Sequence, residues 1–268
     1  MDDEAIESEA WYVNSLARGL KVLLAFSQRQ EALSTSEVAE LTGLSRAATR
    51  RFLMTLRYLG YLRSVDNRFV LSAKALDLGY AYLSTSGIVE LVQPILETLS
   101  ATCSETSSLA ILEGEEVIYV ARTPTRRMIA LRVGIGSRIP AYASSLGKAI
   151  LAFTEQAEAD ALIETFELKA LTPKTIADPA LFREEIRTVR ANGYAVTASE
   201  LEVGVASIAV PIMASDGSVI AALNISTHES IHAPQDLRDK FLEPLLNTKA
   251  DIEAALSAVP HLTLKFRG

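Results

Sequence analysis

Two short stretches of the chain carry residue types that could bind anions. Residues 44–57, LSRAATRRFLMTLR, contain four arginines and no carboxylate. Residues 141–153, AYASSLGKAILAF, place two serines and a glycine at the start of a predicted helix. Arginine side chains bind phosphates and the edges of bases, and the first turn of a helix presents unpaired N–H groups to anions. The two stretches therefore predict two separate anion-binding sites.

Charge is distributed unevenly along the chain. The protein has 268 residues and a formal net charge of −7. Residues 12–75 contain ten basic and four acidic side chains, a net charge of +6, whereas the remainder contains 16 basic and 29 acidic side chains, a net charge of −13. This asymmetry predicts a small module that binds a polyanion, joined to a larger acidic domain.

The composition excludes several classes of protein. With 49% hydrophobic and 22% charged residues, the chain resembles ordinary globular proteins. It has no apolar run of the roughly 18 residues that span a bilayer, and its acidic N-terminus differs from a secretory signal. The single cysteine, Cys103, cannot form an internal disulfide. We expect a cytoplasmic protein that does not contact membranes and needs no cofactor.

The basic segment, residues 12–72, has the pattern of a winged helix-turn-helix domain. Ser15, Ser34 and Ser45 are predicted to cap three helices, and a glycine separates the second helix from the third. Residues 61–71 then predict two short strands joined by a tight turn, which is the pattern of a wing.

Projection of the third helix at 100° per residue separates an apolar face from a basic face. The apolar face is predicted to comprise Ala48, Phe52, Leu56 and Leu59. In the major groove arginine can read guanine and alanine can contact a thymine methyl group, while hairpin arginines and hydroxyl groups can hold phosphates. The predicted DNA contacts are Ser34, Thr35, Ser45, Arg46, Ala47, Arg50, Arg51, Arg63 and Arg68. The alternative is a solvated basic face, which would ordinarily mix both signs of charge.

The remaining chain predicts a linker helix over residues 73–87 and an α+β domain over residues 88–260, in which helices flank an antiparallel sheet. The predicted strands are residues 109–112, 117–121, 129–133, 207–213 and 219–226. The predicted helices are residues 88–100, 146–153, 155–164, 180–192 and 234–258.

Several separated motifs resemble the IclR family of transcription regulators across nearly the whole chain. They are the winged helix together with SLARGLKVLLAF, LGYAYLSTS, GSRIPAYASSLGKAILA and ELEVGVASIAVPI. The stretches LARGL, RIPAYASSLGK and AALNISTH are most similar to the PcaR, PcaU and PobR regulators of aromatic-acid catabolism. The resemblance implies a GAF-like effector domain, a small carboxylate as ligand, and a homodimer or homotetramer. Two-fold symmetry would predict a pseudopalindromic double-stranded DNA operator.

The resemblance also implies where the effector binds. Onto this chain it places Met128, Leu131, Ser144, Ser145, Leu146, Gly147, Thr197, Ser207, Asn224 and Ser226. Thr197 stands where the family usually has Asp or Ser, and Leu146 is bulkier than the small residue of some members. Both departures indicate a larger and less polar ligand, in agreement with an aromatic ring. Arg132 and Arg138 are candidate partners for its carboxylate, and the alternative for each is a side chain that simply faces solvent. Ser144 and Ser145 also have the simpler interpretation of helix caps.

The alternative to a ligand-responsive regulator is an enzyme or small-molecule carrier whose N-terminal module only mediates interaction. Ser145 and Lys148 form an S-x-x-K motif, but its companion S-D-N and K-T-G motifs are missing. His228 and His232 have the spacing of helical metal ligands, yet Pro234 favours a loop there. Cys103 is expected to be a buried hydrophobic residue. These motifs give the enzyme class little support.

Overall fold

In the computed structural model of the chain, the described residues are 11–27, 32–79, 87–125 and 133–258. The chain divides into two compact units, Met1–Tyr82 and Leu83–Gly268. Within these described ranges, every helix is too short or too polar to cross a membrane.

The first unit consists of three helices followed by a β-hairpin. The helices are α1 (Asn14–Leu24, continued by a 3-10 turn at Ala25–Ser27), α2 (Thr35–Thr42) and α3 (Arg46–Tyr58), and the strands are β1 (Leu62–Val65) and β2 (Arg68–Leu71). This arrangement confirms the winged helix-turn-helix fold predicted from the sequence.

The helix ends of this unit follow from local sequence. Ser34 and Glu37 form a reciprocal capping box at the start of α2, and Gly43 ends that helix with a φ of 68°, a conformation that glycine adopts at low cost. The Ser45 side chain accepts a hydrogen bond from the Ala48 N–H and so caps α3. Gly43 and Ser45 therefore define the turn between α2 and α3 by local sequence alone.

Two expectations for this unit were wrong. The helix α1 begins at Asn14 after Val13, which makes no side-chain capping bond, so Ser15 is not the N-cap. The buried residues of α3 are Thr49 and Leu53, whereas Leu59 is 48% exposed. Thr49 tolerates burial because its hydroxyl donates a hydrogen bond to the Ser45 carbonyl. The apolar face is therefore centred one residue away from the predicted position.

The wing is held in place by its turn and by an additional bridge. Asp66 and Asn67 have φ values of 48° and 60°, the combination that joins two twisted strands through a two-residue turn. Leu33 exchanges backbone hydrogen bonds of 2.8 and 2.9 Å with Phe69. The hairpin is thus anchored to the segment that precedes α2.

The predicted linker helix is described only in part. Ala73–Ala75 form a 3-10 turn, and the backbone is helical over residues 76–79. The rest of the predicted linker, residues 80–86, lies outside the described residues.

The second unit is built on a six-stranded antiparallel sheet with the order β5-β4-β3-β8-β7-β6. Its strands are β3 (Thr106–Glu113), β4 (Glu116–Thr123), β5 (Arg138–Pro140), β6 (Ala195–Ala198), β7 (Val205–Met213) and β8 (Val219–His228). Its helices are α4 (Ile88–Cys103), α5 (Ser145–Phe153), α6 (Gln156–Thr165), α7 (Pro179–Asn192) and α8 (Leu237–Ser257). The α+β class predicted from the sequence is confirmed.

The strand predictions differ from the structure at the sheet edges. The short edge strands β5 and β6 were not predicted, because three or four residues show too little alternation. Of the predicted strand 129–133, only Val133 is described, and it lies outside any strand.

The two faces of the sheet differ in side-chain size. The face covered by α4 and α8 buries large aliphatic residues such as Leu109, Ile208 and Leu223. The face covered by α5 carries small residues, including Ala110, Ala195, Ala209 and Ala222. Small side chains allow α5 to approach this face closely.

The start of α5 depends on a glycine. A Cβ added at Gly147 would lie well inside van der Waals contact with the backbone of Ala141, including its carbonyl oxygen. The φ of Gly147 is not in the left-handed region, so space rather than backbone conformation requires glycine there.

We expect Gly147→Ala to lower the free energy of unfolding by about 1–3 kcal/mol through overpacking. In an open helix the same change would stabilise by up to about 1 kcal/mol, so the sign of the effect is diagnostic. Urea unfolding measures it. Gly134→Ala is the control, because no atom lies within 4 Å of a Cβ added there. A neutral or stabilising Gly147→Ala would contradict the close approach.

Candidate functional site

The α3 helix presents a continuous basic face to solvent. Its exposed residues are Arg46, Ala47, Arg50, Arg51, Met54, Arg57 and Tyr58. Within the part of the chain that is described, none of these arginines forms an ion pair. Arg57 makes one weak hydrogen bond, from Nη1 to the Ser64 hydroxyl at 3.3 Å. Four cationic side chains on one helix face are therefore available to an anionic partner.

The other residues predicted to contact DNA surround this face to differing degrees. Ser45 is exposed at the start of α3, Arg63 is exposed on β1, and Thr35 is half-buried at the first position of α2. The Ser34 hydroxyl oxygen accepts a hydrogen bond from the Glu37 N–H. Ser34 thus has a structural role that the sequence also signalled.

Arg68 is engaged within the protein. Its Nε donates to the Ala32 carbonyl at 2.7 Å, and its Nη2 donates to both carboxylate oxygens of Glu37 at 2.7 and 2.8 Å. The hydrogen bonds from Ser34 and then from Arg68 lower the pKa of Glu37 to about 2. The ion pair joins β2 to the start of α2, which counts against the phosphate contact predicted for Arg68.

The second unit contains a buried polar cluster, defined here as Ser145, Thr197, Ser207, Asn224 and Ser226. The hydroxyl of Ser207 lies 2.7 Å from that of Ser145 and 2.9 Å from that of Thr197. The Asn224 amide donates to the Ser226 hydroxyl at 2.9 Å. The structure therefore brings together five residues from α5 and from three different strands.

Strand register positions the members of this cluster. Ser207 pairs with Thr197 on one side and with Ser226 on the other, so three strands contribute one row on the face below α5. Ser145 reaches the row from the first position of α5, and the Ser144 hydroxyl caps this helix by accepting from the Gly147 N–H at 3.0 Å. Leu146 is fully buried in the adjacent core.

Polar residues that the sequence did not single out extend this row and form a second row beside it. Ser226 pairs with Thr106, and Asn224 pairs with Ser108, which in turn pairs with Arg122 on β4. Thr106 and Ser108 are fully buried. The run of hydroxyl residues at 106–108 in a buried strand was the available signal, but only the sheet register relates it to Asn224.

Several predicted ligand contacts have a different outcome. Arg138 pairs with Glu113 and with Glu116 on the exposed β3–β4 hairpin, and these two acidic neighbours count against its prediction as a carboxylate partner. Met128, Leu131 and Arg132 lie outside the described residues.

Lys148 is fully buried and its ammonium contacts only carboxylates among the described residues. Its Nζ donates to the two oxygens of Glu200 at 2.7 and 2.8 Å and to Glu185 at 3.3 Å. Burial raises the pKa of Glu200, and the attraction of Lys148 opposes that shift. Lys148 therefore links α5 to α7 and to the segment after β6, and it makes no hydrogen bond to Ser145.

The remaining candidates are Cys103 as a nucleophile and His228 and His232 as metal ligands, and their surroundings favour neither role. Burial, and then the charge of Glu105, raise the pKa of Cys103 to about 11, so its thiol stays protonated near neutral pH. The His228 ring bonds to Ser230, whereas His232 lies 3.3 Å from Glu105. Over the described ranges, no three potential ligands are grouped closely enough to hold a metal ion.

Comparison with known families accounts for both units. Residues 15–66 match the IclR helix-turn-helix domain, and residues 80–254 match the C-terminal domain of bacterial transcriptional regulators of the IclR type. The chain belongs to the IclR family. The basic face of α3 thus lies in the helix-turn-helix domain of this family, and the polar cluster lies in its C-terminal domain.

Individual relatives agree with this assignment. The chain is 38% identical to the Pca regulon regulatory protein of Pseudomonas putida, covering 93% of this chain and 86% of that protein. It is also 38% identical to the p-hydroxybenzoate hydroxylase transcriptional activator of Acinetobacter baylyi, with coverage of 90% and 91%. By name, the first relative is a regulatory protein and the second is a transcriptional activator.

Solved structures have the same fold. A protein from Rhodococcus sp. RHA1 superposes with a TM-score of 0.82 at 42% identity, covering 92% of this chain and 100% of the other. An IclR homologue from Microbacterium hydrocarbonoxydans was solved in complex with 4-hydroxybenzoate. It superposes with a TM-score of 0.79 at 25% identity, and the match covers 91% of this chain and 100% of the other.

We expect Lys148→Met to lower the free energy of unfolding by about 3–5 kcal/mol, because it leaves the buried carboxylate of Glu200 without its counter-ion. Urea unfolding monitored by circular dichroism measures the loss. The control is Lys169→Met, since the exposed pair of Lys169 with Glu167 contributes little. Equal stability of the two variants would show that the buried pair is dispensable.

Proposed function

We propose that this protein is a ligand-responsive transcriptional regulator of a catabolic operon, which binds a double-stranded DNA operator and senses a small aromatic carboxylate. The observation that carries the proposal is a combination of two features of the described residues. One is an arginine face on α3 that forms no ion pair among them, and the other is a buried polar cluster in the second unit in which Asn224 Oδ1 has no partner among them. Each feature is unfavourable without a partner: like charges repel one another, and buried polar atoms need hydrogen bonds.

The DNA-binding half of the proposal is supported by the position of the arginines. The second helix of a helix-turn-helix motif enters the major groove with its N-terminal residues against the bases. Arg46, Ala47, Arg50 and Arg51 occupy the first two turns of α3 and are exposed. In this proposal they read bases, and Arg63 on the wing holds a phosphate.

The effector half is supported by the chemistry of the cluster and by the relatives. The hydroxyl groups of the cluster and the side-chain amide of Asn224 suit an oxygen-rich ligand, because each can form a hydrogen bond with it. By name, one relative regulates the Pca regulon and another is the transcriptional activator of p-hydroxybenzoate hydroxylase. One structural neighbour was solved in complex with 4-hydroxybenzoate. Ser144, Ser145, Gly147, Thr197 and Ser207 are proposed to surround the ligand.

Self-association is supported by an apolar stripe on α1. Leu16, Leu20 and Leu24, spaced four residues apart, are 62%, 48% and 64% exposed, and such a stripe indicates a protein interface. We propose a homodimer or homotetramer, in which two winged helices bind a pseudopalindromic operator.

An enzymatic role has no arrangement to support it in the described residues. Lys148, the base of the S-x-x-K motif, donates to carboxylates, and the thiol of Cys103 has a raised pKa. We also propose that the DNA site and the effector site are coupled energetically. The effector then changes the affinity for DNA, and DNA changes the affinity for the effector by the same factor.

Fluorescence anisotropy of the purified protein on the DNA flanking its own gene tests this function. The titration is made at two salt concentrations, with and without 4-hydroxybenzoate, protocatechuate and β-ketoadipate. We expect sequence-specific binding that weakens as salt rises and that changes with one of the acids. Absence of specific binding under every condition would refute the proposal, and specific binding that ignores every acid would refute its effector half.

We expect Arg50→Ala to weaken operator binding by about 1–3 kcal/mol, with little loss on unrelated DNA, if Arg50 reads a base. The same anisotropy assay on operator and scrambled duplexes gives both values. Arg187→Ala is the matched control, because Arg187 is an exposed arginine of the second unit that pairs with Glu184. Equal losses on both duplexes would instead make Arg50 a phosphate contact.

A further inference from the structure

Arg122 is a partly buried cation beside the polar cluster. Its Nη1 donates to the Ser108 hydroxyl at 3.4 Å, and its guanidinium carbon lies 5.7 Å from the centre of the Tyr119 ring. Burial lowers the pKa of Arg122. No carboxylate among the described residues pairs with it. A cation that has lost part of its hydration without gaining a counter-ion favours binding of an anion.

A β-bulge directs Arg122 toward the face covered by α5. On β3, Leu109 pairs with Ala121 but the next residue pairs with Tyr119, so β4 contains one extra residue, Val120. In a regular strand, residues three apart point to opposite faces. The bulge removes this alternation, so Tyr119 and Arg122 share a face while Val120 and Ala121 are buried in the opposite core. Bulges of this kind re-aim side chains near functional sites.

An unsatisfied acceptor lies two strands away on the same face. Asn224 is 2% exposed, and its Oδ1 has no hydrogen-bond partner among the residues that the structure describes, although its Nδ2 donates to Ser226. Asn224 pairs with Ser108, which pairs with Arg122, so the three residues form one row across β8, β3 and β4. A buried carbonyl oxygen favours a donor such as a hydroxyl group and disfavours a carboxylate.

We propose that Arg122 binds the carboxylate of the effector and that Asn224 Oδ1 accepts a hydrogen bond from a hydroxyl group at the other end of its ring. The ligand then lies across β3, above Ser108, with a fixed direction. This inference rests on the proposed sensing of an aromatic carboxylate and adds its orientation. It favours hydroxybenzoates over benzoate, because benzoate would leave the buried acceptor unpaired.

Isothermal titration calorimetry of the full-length wild-type protein provides the first test. The probes are 4-hydroxybenzoate, benzoate, which lacks the hydroxyl group, and 4-hydroxybenzamide, which lacks the charge. We expect benzoate to bind roughly tenfold to hundredfold more weakly than 4-hydroxybenzoate, as for an unpaired buried acceptor. The amide should lose about tenfold or more, as for a lost charged hydrogen bond.

Variants assign each effect to its residue. Arg122→Gln is expected to abolish the difference between 4-hydroxybenzoate and its amide, and Asn224→Leu to abolish the difference between 4-hydroxybenzoate and benzoate. Arg138→Gln is the matched control, since it removes the same charge from the neighbouring strand where two glutamates already pair with it. Thermal unfolding checks that each variant folds.

The outcomes separate the orientation from the proposed function. If the wild-type protein binds none of the probes, the proposed effector class fails. If it binds 4-hydroxybenzoate and folded Arg122→Gln still discriminates the acid from the amide as the wild type does, the orientation is wrong. If Arg122→Gln does not fold, Arg122→Lys replaces it, because lysine keeps the charge but lacks the two parallel N–H donors that guanidinium offers a carboxylate. Unchanged affinity for every probe would then overturn the contact between Arg122 and the carboxylate, whereas a loss confined to 4-hydroxybenzoate and benzoate, the charged probes, supports it.

Discussion

The buried ammonium of Lys148 is the constraint around which the second unit is organised. A charge removed from water must be neutralised and hydrogen-bonded, and Glu200 and Glu185 come from two different parts of the chain to do so. The pair fixes the position of α5 along the sheet, and the bare backbone of Gly147 sets how closely the helix approaches Ala141. Together these two features bring Ser145 within hydrogen-bond distance of Ser207.

The two faces of the sheet in the second unit differ in the size and polarity of their side chains. Large aliphatic side chains on the α4 and α8 side supply most of the apolar burial, whereas alanine and hydroxyl residues occupy much of the α5 side. Because apolar burial on the α4 and α8 face supplies most of the stabilisation, the α5 face can hold buried polar groups that lack a hydrogen-bond partner among the described residues, such as Asn224 Oδ1. The bulge at Val120 adds a cation to that face without disturbing the aliphatic core.

The first unit differs from the second, because the arginines of α3 are exposed to water and need no buried counter-ion. Here the core of Leu33, Val38, Leu53 and Phe69 holds the helices and the wing together, and the pairing of Arg68 with Glu37 joins β2 to α2. Of the basic residues in this unit, Arg68 stabilises the fold, while Arg46, Arg50 and Arg51 contribute charge to the surface. Basic residues of the same type therefore divide into structural and surface roles according to their neighbours.

The sequence by itself determined the features that depend on local interactions. The capping box of Ser34, the turn at Asp66 and Asn67, the exposure of the α3 arginines and the positions of the longer strands and helices all follow from neighbours within a few residues. Local pattern did not identify Thr49 as a buried residue or detect the short strand β6. The resemblance to a family supplied Thr197 and Asn224, which no periodicity indicated. Tertiary structure alone decided that Arg138 meets two glutamates, that Lys148 meets Glu200, and that Arg122 shares a face with Asn224, because strand register and a single bulge determine which distant side chains meet.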